Sequence, residues 1–200
     1  TNGMPQDFIG AIPKANLGVN YLNLSITQSS NTIISQLTGT LLEISSTRFG
    51  GQSFVAPISG TLTNVTLFNR VYSWDPEKFK VKAELRTDNA GTPSNTILSS
   101  LTVSEIINIQ GLRNFSPVFN FNFVVTAGVT YWITQRVDAF NGGFTNSNWY
   151  YLNASAVAGN RATSTSATGI GSWTASAGTD YNFNLAIEPT LSLIHISEPT

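Results

Sequence analysis

The chain has 200 residues and a formal net charge of −1, and only 10% of its residues are charged. This length suits one domain whose core is stable without disulfides, and the absence of cysteine excludes thiol nucleophiles and Cys-metal sites. A near-neutral chain lacks the excess of cations that nucleic-acid binding needs, and no run of about 18 apolar residues is present to span a membrane. We therefore expect no nucleic-acid partner and no membrane insertion.

The first twenty residues show no clear hydrophobic period, and glycine and proline interrupt them at Gly10, Pro13 and Gly18. We predict that residues 1–20 form an extended lead-in or linker. Residues 21–190 are then expected to form the folded domain.

Alternation of apolar and polar residues, typical of half-buried strands, recurs along that domain. The clearest predicted strands lie at 62–72, 79–86, 119–123, 129–138 and 181–188, with weaker candidates at 38–46, 52–56, 96–103 and 149–153. The residues expected to face the core are Val65, Leu67, Val71, Phe79, Val81, Ala83, Leu85, Phe119, Phe121, Phe123, Tyr131, Ile133, Val137, Tyr181, Phe183, Leu185 and Ile187. No helix longer than a turn or two is expected.

The opposite face of the 79–86 strand is charged, with three lysines followed by Glu84 and Arg86. Such a run is usually a solvated strand face. We therefore interpret it as surface and not as a binding patch.

Turn residues separate the strands at the expected places. The segment 88–93 combines an Asx turn, a glycine and a proline, while 59–60 and 126–128 are tight connections. The stretches 139–148 and 154–178 are rich in small and polar residues and are predicted to be loops.

About eight to ten short strands with alternating faces predict an all-β fold, an antiparallel β-sandwich of the jelly-roll type. An immunoglobulin-like sandwich is the alternative. It normally has fewer strands and fewer residues.

Four stretches, at 52–65, 84–93, 126–133 and 171–183, occur in an order and spacing that resemble a known type of extracellular module. They are similar to the jelly-roll choice-of-anchor domains of bacterial and viral proteins, which also look like carbohydrate-binding modules. The resemblance covers residues 45–188. It implies a jelly-roll fold and an extracellular, cell-surface or virion location, and it assigns no binding residue.

The last ten residues, 191–200, resemble one translated frame of the transposase adapter used to prepare sequencing libraries. On that reading they are a non-native tail, the genuine chain stops near Thr190, and the sequence is a fragment from environmental data. The alternative is a real edge strand formed by Leu191, Leu193, His195 and Ile196. The distinction matters because His195 is the only histidine.

Without His195, no Ser-His-Asp, Cys-His or histidine-rich metal site can be built. A carboxylate pair for glycoside hydrolysis remains formally open. No pattern brings any two of the candidates together, which are Glu43, Asp75, Glu77, Glu84, Glu105, Asp138 and Asp180. We therefore predict that the protein is not an enzyme and rank a glycoside hydrolase last.

Sugar binding fits the composition better, because a sugar receptor needs amide or carboxylate groups beside flat aromatic rings. The segment 146–151 carries both types, and an aromatic, an arginine and an aspartate share one face of the 129–138 strand. Four asparagines, at positions 120, 122, 182 and 184, would extend that face if their strands are neighbours. The candidate ligand-binding residues are Trp132, Arg136, Asp138, Asn146, Asn148, Trp149, Tyr150 and Trp173. The alternative is that Trp149 and Tyr151 simply point inward on a strand and that Trp173 plugs a loop.

No cofactor is expected, although structural calcium bound by Asp88, Asp138 and Asp180 is the alternative. In the simpler interpretation, Asp88 caps its turn and Asp180 begins a strand. The sequence thus predicts a non-catalytic extracellular or virion-surface module for adhesion or assembly, with carbohydrate binding as its more specific form. Its partners would be glycans or neighbouring domains of the same polypeptide, and the alternative is a purely structural module of a larger surface or viral protein.

Overall fold

In the computed structural model, the described residues are 30–33, 40–45, 48–73, 77–107, 111–138, 146–152, 159–166 and 171–190. They lie within one compact unit, Gln28–Thr190. All regular secondary structure in these ranges is β-strand. None of the described residues forms a helix that could cross a membrane. The predicted lead-in at 1–20 and tail at 191–200 lie outside the described residues and stay predictions.

Sixteen strands are described. They are β1 (Ser30–Ile33), β2 (Thr40–Ser45), β3 (Phe49–Val55), β4 (Gly60–Leu67), β5 (Asn69–Ser73), β6 (Glu77–Asn89), β7 (Thr92–Ile107), β8 (Gly111–Phe115), β9 (Val118–Phe119), β10 (Phe123–Val125), β11 (Thr130–Val137), β12 (Asn146–Leu152), β13 (Asn160–Ser164), β14 (Trp173–Ala177), β15 (Asp180–Tyr181) and β16 (Phe183–Pro189).

These strands form three antiparallel sheets. The six-stranded sheet has the order β14-β13-β3-β11-β6-β7. The β4 sheet has the order β1-β16-β4-β10, with β9 also paired to β4. The β12 sheet has the order β15-β12-β5-β8, with β2 also paired to β12.

The β4 and β12 sheets are connected without loops. A single residue, Phe68, separates β4 from β5, and a single residue, Asn182, separates β15 from β16. The Phe68 backbone N–H donates to the Asn182 carbonyl oxygen at 3.2 Å. Two strands of the β4 sheet therefore continue directly into the β12 sheet.

One apolar core is shared by all three sheets, because each contributes buried side chains to the same cluster. Most residues predicted to face the core are buried there, namely Val65, Leu67, Val81, Ala83, Leu85, Phe119, Phe121, Tyr131, Ile133, Val137, Tyr181, Phe183, Leu185 and Ile187. Phe123 packs against this cluster and is partly buried. The predictions for the side chains of Val71 and Phe79 lie outside what is described. The predicted all-β antiparallel sandwich is thus confirmed, whereas its jelly-roll connectivity stays a prediction.

The turn predictions are confirmed where backbone geometry tests them. Ala90 and Gly91 have φ values of 50° and 84°, and the Gly91 N–H donates to Asp88 Oδ2 at 3.2 Å. Gly128 has a φ of 76°, and its N–H donates to the Ala56 carbonyl oxygen at 2.9 Å. Glycine adopts this left-handed region without steric cost.

Several strand boundaries differ from the sequence prediction. The 62–72 run is divided by Phe68, and the 119–123 run is divided because Asn122 has a φ of 48°, which a strand cannot accommodate. The predicted 139–148 loop gives way to β12 at Asn146, while 139–145 lie outside the described residues.

The predicted 154–178 loop is wrong, because it contains β13 and β14. These strands consist largely of small and polar residues, so their alternation is invisible to a hydrophobic pattern. Just before β13 the close packing requires glycine, because a Cβ at Gly159 would lie 2.4 Å from the Ser53 carbonyl oxygen. Strand pairing, not apolar burial on one face, keeps this segment extended.

Candidate functional site

The six-stranded sheet has a second face, opposite the main core, which we call the outer face. On β11 the core residues alternate with Trp132, Thr134 and Arg136, so these three side chains lie on the outer face. Cross-strand partners of Thr134 are Gly51 on β3 and Glu84 on β6. The prediction that Trp132 and Arg136 share a strand face is therefore confirmed.

The outer face is concave and largely covered. The edge strands β14 and β7 contact each other, and the Gly171 N–H donates to Asn95 Oδ1 at 3.3 Å. A Cβ at Gly51 would lie 3.2 Å from Pro93 Cγ and 3.3 Å from Trp173 Cζ3. The sheet therefore curls until the β6–β7 hairpin tip and Trp173 lie over its own centre, and glycine at position 51 leaves room for them.

A charged cluster lies beneath this cover. Arg86 is fully buried, donates from Nε to Glu84 Oε2 at 3.0 Å and from Nη2 to the same oxygen, and donates from Nη1 to the Ser94 carbonyl oxygen at 2.9 Å. Lys82 Nζ lies 3.0 Å from Glu84 Oε1. Burial raises the pKa of Glu84, but the hydrogen bonds and charges of Arg86 and Lys82 outweigh it, and the net pKa is below the ordinary value.

The prediction of a solvated charged face is wrong at this end of β6. Glu84 and Arg86 are buried, whereas Lys80 and Lys82 remain partly exposed. The physical reason is the curvature of the sheet, which folds the hairpin tip over the outer half of the strand. The alternation identified the correct face and could not show that another segment covers it.

Trp132 is part of this covered region and not an exposed platform. Its side chain is fully buried, and its indole Nε1 donates to Asp88 Oδ1 at 2.6 Å. Asp88 therefore holds the hairpin tip against β11, in addition to accepting the turn hydrogen bond from Gly91. A buried ring presents no face to a ligand, so Trp132 does not supply the stacking surface expected of it.

Arg136, Phe49 and Trp173 form a more open group at the same face. The guanidinium carbon of Arg136 lies 5.3 Å from the Phe49 ring centroid, and the Phe49 and Trp173 rings meet edge to face at 6.2 Å. Arg136 Nη2 lies 3.8 Å from Asp138 Oδ1, and 24% of the Arg136 side chain is exposed. Trp173 is half-buried and begins β14, where the sequence had predicted a loop.

Two hydrogen-bond donors in this group have no acceptor. Arg136 Nε and Trp173 Nε1 are both buried, and no acceptor for either lies within hydrogen-bond distance among the described residues. A buried N–H without a partner costs about 1–3 kcal/mol. Such groups warrant a functional explanation, because most buried polar atoms in folded proteins are satisfied.

Trp149 lies elsewhere, in the main core. It is fully buried, stacks on Tyr181 with centroids 4.1 Å apart and planes 6° apart, and donates from Nε1 to the Asn182 carbonyl oxygen at 2.9 Å. The structure therefore does not bring Trp149 together with Arg136 and Trp173, which lie on the opposite face of the six-stranded sheet. Trp149 is therefore a core residue, as the alternative interpretation of the sequence predicts.

The remaining candidates on β12 are located by their backbones alone. Asn146 pairs with Ser45, and Asn148 pairs with Glu43 and Arg70, all in the β12 sheet. Tyr150 also belongs to this strand, and the side chains of Asn146, Asn148 and Tyr150 lie outside what is described. As a set, the eight predicted ligand-binding residues stay a prediction.

The predicted extension of the site by four asparagines is wrong. Asn184 lies on β16 of the β4 sheet, Asn182 precedes that strand and is buried, and Asn120 and Asn122 lie between β9 and β10 of the same sheet. None of the four is on the six-stranded sheet. The four asparagines therefore do not lie on the same surface as the outward side chains of β11, although they alternate with apolar residues in the same way.

Phe49 was missed by the sequence analysis, although it is central to the group. The weak strand predicted at 52–56 begins at Phe49, and Gly50 and Gly51 conceal the alternation that would have revealed it. An aromatic residue followed by two glycines and a polar strand was the available signal. Its meaning depends on the close approach over Gly51, which no sequence pattern encodes.

Buried polar pairs connect the sheets at one end of the core. Asn69 and Gln135 exchange amide hydrogen bonds, from Gln135 Nε2 to Asn69 Oδ1 at 2.6 Å and from Asn69 Nδ2 to Gln135 Oε1 at 3.3 Å. Gln52 Nε2 donates to buried Asp180 Oδ1 at 2.8 Å, while Gln52 Oε1 accepts from the Tyr181 N–H at 2.7 Å. These pairs fix the positions of β3, β5, β11 and β15 relative to one another.

The candidate calcium ligands occupy separate environments. Asp88 accepts from Trp132 and Gly91, Asp180 accepts from Gln52, and Asp138 lies near Arg136. Within the described ranges, no group of three or more His, Cys, Asp or Glu side chains is placed to hold a metal ion. Calcium binding stays a prediction that no contact of these carboxylates supports.

Comparison with known proteins adds no assignment. No protein-family model matches the chain, and no curated protein matches it. The choice-of-anchor and carbohydrate-binding-module resemblance therefore stays a prediction from the sequence.

Proposed function

We propose that the protein is a non-catalytic β-sandwich module of an extracellular or virion-surface protein, and that it acts in adhesion by binding carbohydrate on the concave outer face of the six-stranded sheet. The observation that carries this proposal is the group formed by Arg136, Phe49 and Trp173, with its two unsatisfied donors. The extracellular location and the jelly-roll connectivity belong to the same proposal. They are supported by the sequence resemblance.

The chemistry of the group suits a sugar. Sugar hydroxyl oxygens accept hydrogen bonds, and the apolar face of a sugar ring packs on aromatic side chains. The half-buried Trp173 supplies an aromatic surface. The Trp173 Nε1–H and the Arg136 Nε–H, which have no acceptor among the described residues, supply two hydrogen-bond donors. The Phe49 and Trp173 rings already pack against each other, so ligand binding requires little further ordering of these side chains.

The state of the carboxylates on this face supports a binding role over hydrolysis. A glycoside hydrolase needs one carboxylic acid with a raised pKa to protonate the leaving group. The contacts of Glu84 with Arg86 and Lys82 instead keep its pKa below the ordinary value, so the group is ionised at neutral pH. Its oxygens are also occupied by these two side chains.

A purely structural module is the second candidate function. The burial of Trp132 and Trp149, each with its indole N–H bonded, favours it. On this reading Trp173 and Phe49 only close the end of the curled sheet. The two candidates differ in whether any ligand contacts Trp173.

A glycan array followed by affinity electrophoresis with the full chain distinguishes them. We expect retardation by at least one polysaccharide, lost in Trp173→Ala and retained in Val124→Ala, a matched control because Val124 is exposed on β10 of the β4 sheet. Circular dichroism would verify that both variants are folded. Absence of binding to every glycan tested would leave the structural module as the correct function.

A further inference from the structure

We infer that the outer-face site selects carboxylated sugars, such as uronic acid units, with Arg136 receiving the carboxylate and Trp173 contacting the sugar. This inference rests on the proposed function and names the ligand class of the same site. It follows from the balance of donors and acceptors around Phe49, from the order of side chains across the sheet, and from the loose, partly exposed ion pair of Arg136 with Asp138.

Around Phe49, hydrogen-bond donors outnumber acceptors among the described residues. Arg136 Nε and Trp173 Nε1 are buried without an acceptor in the described part of the chain. Arg136 Nη2 and Asp138 Oδ1 form an ion pair, but their separation of 3.8 Å is longer than a hydrogen bond. A ligand that brings acceptor oxygens would satisfy groups that folding leaves unsatisfied.

Among the described residues, Arg136 has a loose ion pair, with Asp138 Oδ1 at 3.8 Å from Nη2. Glu84, the buried carboxylate of this face, is bonded to Arg86 and Lys82. Arg86 is neutralised by that contact and donates also to a backbone carbonyl, whereas the ion pair of Arg136 in the described part of the chain is longer than a hydrogen bond. A guanidinium in a partly desolvated site binds a carboxylate better than a neutral hydroxyl, because the carboxylate carries the opposite charge and its two oxygens accept from the guanidinium in bidentate geometry.

The groups of this site follow one another in order across the strands of the sheet. Arg136 pairs with Lys82 across β11 and β6, and Ser164 of β13 pairs with both Phe49 of β3 and Trp173 of β14. Together with the Arg136–Phe49 contact, these pairings form one row across five adjacent strands. The curl of the sheet shortens this row, because the Arg136 guanidinium carbon lies 5.3 Å from the Phe49 ring centroid and that centroid lies 6.2 Å from the Trp173 ring centroid. A short run of carboxylated sugar units spans the distance from Arg136 to Trp173.

The decisive test compares one polymer in two charge states. Binding of the full chain to polygalacturonate and to its methyl ester would be measured by affinity electrophoresis, and binding to oligomers of each by calorimetry. The acid form should bind about ten-fold or more tightly than the ester, the range expected for a charge-assisted hydrogen bond. Arg136→Gln should remove this preference, while Arg70→Gln, the same change on β5 of the β12 sheet, should retain it.

A second variant keeps the test decisive if Arg136→Gln does not fold. Trp173→Phe preserves an aromatic edge beside Phe49 but removes the Nε1–H, so the folded variant should bind the acid form several-fold more weakly. Trp149→Phe, which removes a satisfied indole N–H in the main core, should bind normally when folded. Unchanged affinity in Trp173→Phe would overturn the role given to that donor.

The possible outcomes separate this inference from the proposed function. Binding of neutral polysaccharides alone, or equal binding of acid and ester, would overturn carboxylate selection and leave carbohydrate binding intact. No binding to any polysaccharide would overturn both. Stronger binding of carboxylated peptides than of uronates would also overturn both, because recognition would then not involve sugar. If the folded Arg136→Gln variant keeps its preference for the acid form, that preference arises from general electrostatics and not from Arg136, and carboxylate recognition by Arg136 is overturned.

Discussion

The amide pair between Asn69 and Gln135 makes a quantitative prediction about how the sheets are held in register. Both residues are fully buried, and their side chains exchange two hydrogen bonds between β5 and β11. Gln135→Met keeps the side-chain length but leaves Asn69 Oδ1 without this donor. An unsatisfied buried polar atom costs about 1–3 kcal/mol, so we expect the free energy of unfolding to fall by about 2 kcal/mol.

Asn69→Leu should cost a similar amount or more, because it also removes the Nδ2 hydrogen bond to the Leu67 carbonyl oxygen. The double variant with Gln135→Met replaces both amides by apolar groups, which is often nearly neutral. Its destabilisation should therefore be smaller than the sum of the two single changes, by about 1–2 kcal/mol.

Urea unfolding monitored by tryptophan fluorescence and circular dichroism would give the four free energies of this double-mutant cycle. Equal m-values are needed for the comparison, because a changed m-value indicates a change in the surface exposed on unfolding. Strict additivity of the two substitutions would refute the reasoning, since it would mean that the two amides do not stabilise the fold through each other.

Two further perturbations test other parts of the fold by urea unfolding. The folded-state pKa of Glu84 lies below its unfolded value, so its stabilising contribution is present above the unfolded pKa and is lost as pH falls through the folded pKa. Glu84→Gln should cost about 3 kcal/mol at pH 7, because it removes the carboxylate charge that offsets the buried Arg86 guanidinium, and should flatten the acid limb of a stability–pH profile; an unchanged acid limb would contradict this. Gly60→Ala places a Cβ 2.1 Å from the Glu188 carbonyl oxygen and should cost about 3 kcal/mol. Gly91→Ala, where a Cβ meets nothing within 4 Å, should cost only about 1 kcal/mol for its positive φ, and equal losses at the two glycines would exclude the steric explanation.

Sequence periodicity was sufficient for the fold class because the strands of the main core alternate strictly. Val81, Ala83 and Leu85 occupy every second position of β6 and are all buried. Each fully buried aliphatic side chain contributes about 1.5–3 kcal/mol, so this pattern is strongly selected by folding. The same periodicity placed Trp132 and Arg136 on one face correctly.

The candidate site could be predicted only in part, because it depends on contacts between strands distant in sequence. The cover over Gly51 comes from Pro93 and Trp173, which lie on the two edge strands of the sheet. Nothing local in β6 indicates that Glu84 would be buried beneath such a cover. Alternation specifies the side of a sheet, whereas curvature determines whether that side is open to solvent.

The curvature of the six-stranded sheet has a further consequence for association between molecules. Edge strands expose unpaired N–H and C=O groups on which another chain can add a strand, and proteins commonly protect them. Here the edges β7 and β14 lie against each other, and Asn95 accepts a hydrogen bond from the Gly171 backbone. A variant that straightens the sheet would separate these edges and create two templates for intermolecular β-pairing. The curl that forms the concave face therefore also protects the module from polymerising through its own strands.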